Sequence, residues 1–224
     1  VYKRQIMSRT LRPSRFALCA VALAVATASV ALSQESAMDR LESLNRALAR
    51  EAGWTAGFEQ DFVPVGMTAG EEATGRVWLA WPDRALFHTG EPVRQMMGLS
   101  GRTVRLIDLE DETCDERFLT DREWERIPLA AVLDPRGALV HFDVADEGER
   151  GIVLTPKEPG GVDRVEVVLG DDGLPLEITI RDPQGAVNRL EFSGWVRAEG
   201  PPRQLWLPPP PDGVECVADQ DALD

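Results

Sequence analysis

Two histidines, His88 and His141, are the only imidazoles in the chain, so proton transfer near neutral pH would have to run through them. Each sits beside a phenylalanine in a strand-like stretch, and both read as ordinary strand residues rather than proton carriers. No Cys/His group has metal-ligand spacing, so no metal site is expected. No serine lies in a Gly-x-Ser-x-Gly elbow, and the glycines are scattered through turns instead of forming a phosphate loop. The 38 acidic residues fall mostly in turns, where carboxylates are more often solvated than catalytic. A glycosidase-type carboxylate pair is defined by distance in space, which spacing along the chain does not settle. The expectation is a protein that is not an enzyme, with no catalytic residue and no cofactor.

The residues that could form a site are apolar. Met96, Met97, Leu99, Val104 and Leu106 cluster in two strands able to pair, and Trp78, Trp81, Phe87 and Phe142 add large surfaces. Methionine is unbranched and polarizable, which suits a surface for variable, greasy ligands. The alternative for each of these residues is a place in the core.

Residues 36–50 have helical spacing, with Met38, Leu41, Leu44 and Leu48 on one face and Gly53 ending the element. The period then changes to two. Trp54, Ala56, Phe58, Gln60 and Phe62 share one strand face, and Gly75, Val77, Leu79 and Trp81 the next. Short strands are expected over 84–89, 93–99, 103–108 and 113–119, joined by tight turns. Thr120-Asp121-Arg122-Glu123 is a capping box opening a short helix through Trp124, with an apolar part over 129–133 that Pro135 and Gly137 end. Strands resume over 138–144, 152–156, 163–169, 174–181 and 187–196. The proline-rich stretch 200–211 should run extended along a surface or an edge. The fold class is therefore mainly β (α+β). Sequential strands can all pair antiparallel, and a sheet of that size curls. Two amphipathic helices are available to cover its apolar face, over either a packed core or a lined cavity.

Ahead of this lies a different composition. Met7 is the expected start, with residues 1–6 foreign to the native chain. Arg9, Arg12 and Arg15 precede an apolar, alanine-rich run over 16–32, and small residues follow at Ala28, Ser29, Ala31 and Ser33. These are the three parts of a secretory signal. Cleavage is expected between Ala31 and Gln34, giving a leader over 1–33 and one domain over 34–224. Cys19 stands at the start of the apolar run behind the bulky Leu18, which is not a lipid-attachment arrangement. Formal charge falls from −14 to −19 once the leader's five basic residues leave, which disfavours nucleic acid and anionic headgroups as partners. Export permits a disulfide, and Cys114 with Cys216 is the one intramolecular pairing left after processing.

The mature stretch resembles the periplasmic outer-membrane lipoprotein carrier family, LolA. The resemblance rests on Ala56-Gly57-Phe58-Glu59-Gln60, Gly75 to Pro82, Gly90-Glu91-Pro92, Ser100 to Val104, Val153 to Lys157, and Pro210 to Val214, in order and spacing. It implies an unclosed, strongly curved antiparallel half-barrel covered by lid helices, with lipoprotein acyl chains held between them. It also implies a periplasmic monomer that receives cargo from an inner-membrane lipoprotein-releasing ABC transporter and delivers it to an outer-membrane receptor. On that basis Trp78, Leu79, Phe87, Met96, Met97, Leu99, Leu106 and Phe142 are the candidate lining. The family's lid-closing arginine, placed before the strand-end proline, is replaced here by Trp81, which offers a single N–H donor. A protein-binding or lipid-binding sensor of the same fold is the alternative function.

Overall fold

A computed structural model describes residues 37–125, 127, 131–132, 134–202 and 205–218. The expected leader, and most of the apolar stretch 129–133, lie outside these residues. Helix α1 spans 37–49, with Leu41, Leu44 and Leu48 buried as the spacing predicts. Twelve strands follow: β1 (Trp54–Val63), β2 (Glu71–Ala80), β3 (Arg84–Thr89), β4 (Gln95–Ser100), β5 (Thr103–Asp108), β6 (Thr113–Phe118), β7 (Phe142–Glu147), β8 (Gly151–Pro156), β9 (Arg164–Leu169), β10 (Pro175–Arg181), β11 (Val187–Arg197) and β12 (Val217–Ala218). Between β6 and β7 the described residues include the short helices α2 (Asp121–Trp124) and α3 (Pro135–His141), and 131–132 are also helical.

The sheet is a single unclosed, strongly curved layer in the order β12-β6-β5-β4-β3-β2-β1-β11-β10-β9-β8-β7. It is not the simple meander that local pairing suggests. β1 sits at the centre, paired to β2 on one side and to β11 on the other. β6 and β7 are neighbours in sequence but lie towards opposite ends of the sheet. The chain must therefore cross from one end to the other between residues 118 and 142, and α2 and α3 lie in that crossing.

The capping box forms as expected: Glu123 N–H donates to Thr120 Oγ1, and Thr120 N–H donates back to Glu123 Oε2 at 2.8 Å. The Thr120 N–H, and after it the Thr120 hydroxyl, both donating to the carboxylate, hold the Glu123 pKa below its usual value. The expected strand over 138–144 is corrected. Asp134 caps a helix with Pro135 in its first turn, its Oδ1 accepting from Gly137 N–H at 3.0 Å. Pro135 and Gly137, read as a stop, here lie in the first turn of a helix, because proline's missing N–H and fixed φ suit that position.

The tail packs on the outer face of the sheet. Trp206 is buried there, and Arg105 donates to the carbonyls of Leu207 (3.4 Å) and Pro208 (2.9 Å). Cys216 is disulfide-bonded to Cys114 with Cα atoms 4.4 Å apart, and β12 then pairs parallel to β6. Gly98 makes room for this strap. A Cβ there would lie 2.3 Å from the Trp206 carbonyl oxygen and 2.6 Å from Pro208 Cδ. Both obstacles are rigid, so Gly98→Val should lower stability by roughly 1–3 kcal/mol. Thermal unfolding checks this, and limited proteolysis should show earlier cleavage in the tail. An unchanged melting temperature would mean the strap is not seated on Gly98.

Candidate functional site

Strand alternation and register decide which side chains share the face under the helices. Leu79, Ala85, Leu99 and Val104 fall in one cross-strand row, and Val77, Phe87, Met97 and Leu106 in the next. Trp54 and Ala56 of β1 extend the two rows. Phe58 continues this face, its ring meeting Phe87 edge-on with centroids 5.6 Å apart. On the far half of the sheet the same face carries Ile178, Ile180, Val165, Val167, Ile152, Leu154, Val144 and Phe142, by the pairings of β7 to β10.

Helix α1 packs on that far half, joining Leu41, Leu44 and Leu48 with Leu154, Val165, Phe142 and Trp54 in one buried cluster. Ala131 and Ala138 join it from the chain between β6 and β7. Leu154 and Val165 are wholly inaccessible, so this part of the interior is packed. The near half of the same face is different. Met97 is 38% exposed and Leu106 is 45% exposed, and they are direct cross-strand partners. One apolar surface thus runs from a solvent-facing region on β4 and β5 into a core beneath the helices.

Six of the eight expected lining residues lie on this inner face: Leu79, Phe87, Met97, Leu99, Leu106 and Phe142. Trp78 and Met96 do not. Each is adjacent in sequence to an inner residue, and the pleat sends neighbouring side chains to opposite faces. Trp78 packs against His88 on the outer face, ring centroids 5.0 Å apart. His88 is half-buried there, and burial lowers its pKa, which favours the neutral ring. Met96 lies between His88 and Ile107 in the same outer row. His141 is at the end of α3 with its Nε2 3.6 Å from Glu125 Oε2, so the two histidines belong to separate surroundings. Among the described residues, no group of three or more His, Cys, Asp or Glu side chains could hold a metal ion.

The model of the family described as "Outer membrane lipoprotein carrier protein LolA" matches residues 51–206. The chain belongs to the LolA family. An outer-membrane lipoprotein carrier protein of Xanthomonas oryzae pv. oryzae is 28% identical over 215 residues, covering 93% of this chain and 98% of that one. Its counterpart in Alcanivorax borkumensis is 26% identical over 169 residues, covering 73% and 80%. A LolA superfamily protein of Nitrosomonas europaea, solved by crystallography, is 10% identical with a TM-score of 0.40, covering 74% of this chain and 94% of that one.

In this LolA-family chain the position before the strand-end proline is Trp81. It is half-buried and packs against the helix-covered cluster as an apolar side chain. The helices are held to the sheet by other polar groups. Arg40 of α1 donates to Asp146 Oδ1 at 2.6 Å and to the Gly151 carbonyl at 3.1 Å, reaching the β7–β8 hairpin. Trp54 Nε1 donates to the Leu48 carbonyl at 3.1 Å, fixing the other end of α1 to β1. The Arg40 link leaves no mark in the sequence, because its partners lie more than a hundred residues away and are brought close by the sheet order, whereas the Trp54 link is local to the α1–β1 junction.

Proposed function

We propose that this protein is a periplasmic carrier that binds lipoprotein acyl chains on the inner face of its sheet and moves lipoproteins from the inner towards the outer membrane. The observation that carries the reading is the continuity of one apolar surface from exposed Met97 and Leu106 to the packed residues beneath α1. The family membership and the names of its relatives support it. An acyl chain arriving at the exposed part finds apolar contacts leading inward. To extend further it must replace side chains of the cover.

The magnitudes permit this exchange. A chain of about 15 methylenes gains roughly 12 kcal/mol on leaving water. Exposing three leucines of α1 would cost about 5–9 kcal/mol. One acyl chain therefore outweighs the burial of those three leucines. The acidic body keeps such a carrier in water beside anionic membranes. The proposed reaction is transfer without bond-making, so no residue is assigned a catalytic role. The partners would be an inner-membrane lipoprotein-releasing ABC transporter and an outer-membrane receptor.

The test uses the full chain, exported and purified, added to proteoliposomes holding the ABC transporter and a radiolabelled lipoprotein. The expected result is ATP-dependent appearance of lipoprotein in the soluble fraction in a one-to-one complex with this protein. Label that stays with the vesicles, together with no bound lipid in native mass spectrometry, would defeat the reading.

A further inference from the structure

We infer that Gln60 and Asn188 form a head-group site on the inner face, and that this site selects acyl chains joined to their protein through an amide. The inference rests on the carrier reading above. Gln60 Nε2 donates to Asn188 Oδ1 at 2.9 Å, linking β1 to β11. Both side chains lie on the inner face: Gln60 follows Phe58 and precedes Phe62 on that side of β1, and Asn188 is the direct partner of Phe62 and of Ile180. Leu190, opposite Gln60, and Ile178, opposite Leu190, complete an apolar surround. This end of the face is open to solvent, with Phe62 39% exposed and Gln60, Asn188 and Leu190 half-buried.

A polar pair here is not needed to join the strands. One row away, Phe58 opposite Phe192 joins them by apolar contact alone. The pair also leaves hydrogen-bonding capacity unused. Among the described residues, Gln60 Oε1 meets no donor and Asn188 Nδ2 no acceptor. Among the same residues no buried side-chain nitrogen or oxygen lacks a partner, so these two open atoms reach water.

One open acceptor beside one open donor is the complement of a secondary amide, whose N–H can donate to Gln60 Oε1 while its carbonyl accepts from Asn188 Nδ2. An acyl chain is attached to a protein through an amide, an ester or a thioester, and only the amide carries the N–H. An ester in the same place would cover Gln60 Oε1 without supplying a donor, which costs affinity. The pair is uncharged, and Glu59, Asp61, Arg189 and Glu191 alternate to the outer face, so β1 and β11 offer no cation here to a free carboxylate or a phosphate.

The position suits the head of a long chain. From Gln60 the inner face continues through Phe58, whose ring meets Phe87, to Met97 and Leu106. Met97 lies on β4, level with Ala56 of β1, so the path along the sheet is about 20 Å. A chain with its linkage on the pair can lie along that path, while the attached protein leaves past exposed Phe62.

The experiment uses the full-length exported protein loaded with 11-(dansylamino)undecanoic acid, a fluorescent fatty acid, and measures its displacement by N-methyldodecanamide and by methyl dodecanoate. The two competitors differ only in the N–H of the linkage. The ratio of amide affinity to ester affinity should fall at least fivefold in Gln60→Met and in Asn188→Leu, the equivalent of about 1 kcal/mol for one hydrogen bond. Loosening of the fold would weaken both competitors together and leave that ratio alone. Asn188→Asp, which keeps the side chain's shape and loses the donor, should lower the ratio as well and keeps the test decisive if Asn188→Leu does not fold. Folded variants with the wild-type ratio would overturn the inference and leave the carrier reading standing. Failure of wild type to bind the dansyl probe or either competitor would overturn both.

Discussion

Met97→Asp is expected to weaken capture of a fluorescent fatty acid by at least tenfold while changing thermal stability by less than about 1 kcal/mol. Met97 lies in the middle of the exposed part of the inner face, with Phe87 and Leu106 as its direct cross-strand partners. In the empty protein a carboxylate there still reaches water, since the site is 38% exposed. With an acyl chain bound, the same carboxylate would be covered by methylenes and would lose its hydration. Desolvating a polar group without a partner costs about 1–3 kcal/mol in proteins, and more when it is charged. That cost falls on the complex alone, so it appears as lost affinity. Met97→Leu, which keeps the apolar surface, should bind within about twofold of wild type. Phe118→Asp supplies the control, because Phe118 is exposed on the outer face. Equilibrium titration with the dansyl probe and a thermal melt give both numbers. If Met97→Asp bound like wild type, β4 and β5 would not belong to the acyl site.

The control also shows where the sequence is a good guide and where it is not. Period-two alternation correctly assigns Trp54, Ala56 and Phe58 to one buried face, because the intervening positions are polar or glycine even where, as at Thr55, they are also buried. It fails where large apolar residues adjoin. Met96-Met97 and Trp78-Leu79 present two greasy neighbours each, and only the register reveals which one faces inward. In this region both faces are apolar: the inner carries the solvent-exposed Met97–Leu106 pair, and the outer is covered by the Trp206 to Cys216 strap. Hairpin neighbours are legible from turn residues, whereas the β1–β11 pairing joins segments more than a hundred residues apart and leaves no local mark. The same holds for Arg40 with Asp146. This link is a consequence of the sheet order, and it helps to decide how the cover is held. The lid-closing position was found by resemblance, but the chemistry there is that of tryptophan, and the hydrogen bonds that hold the helices come from other residues.

Phe142→Ala should lower stability by about 3–5 kcal/mol, the range for deleting a buried aromatic ring. For a domain of this size that corresponds to a fall in melting temperature of about 10 °C. Phe142 is 1% exposed and is the junction between α3 and β7, packed in the cluster with Leu41 and Leu154. Its place makes the outcome informative beyond stability. The ring occupies the inner face in the empty protein, so it is a core residue before it is a lining residue. Removing it leaves an apolar space beneath the cover, which an acyl chain could fill without displacing as much of the protein. Affinity for the fatty acid should therefore rise while stability falls, and saturating probe should restore part of the lost melting temperature, since a ligand that binds the folded state stabilises it by mass action. A variant destabilised to the same extent outside the inner face, such as Trp206→Ala in the strap, should show the fall without the gain in affinity. Equal affinities for the two variants would place the acyl chain elsewhere than beneath the helices.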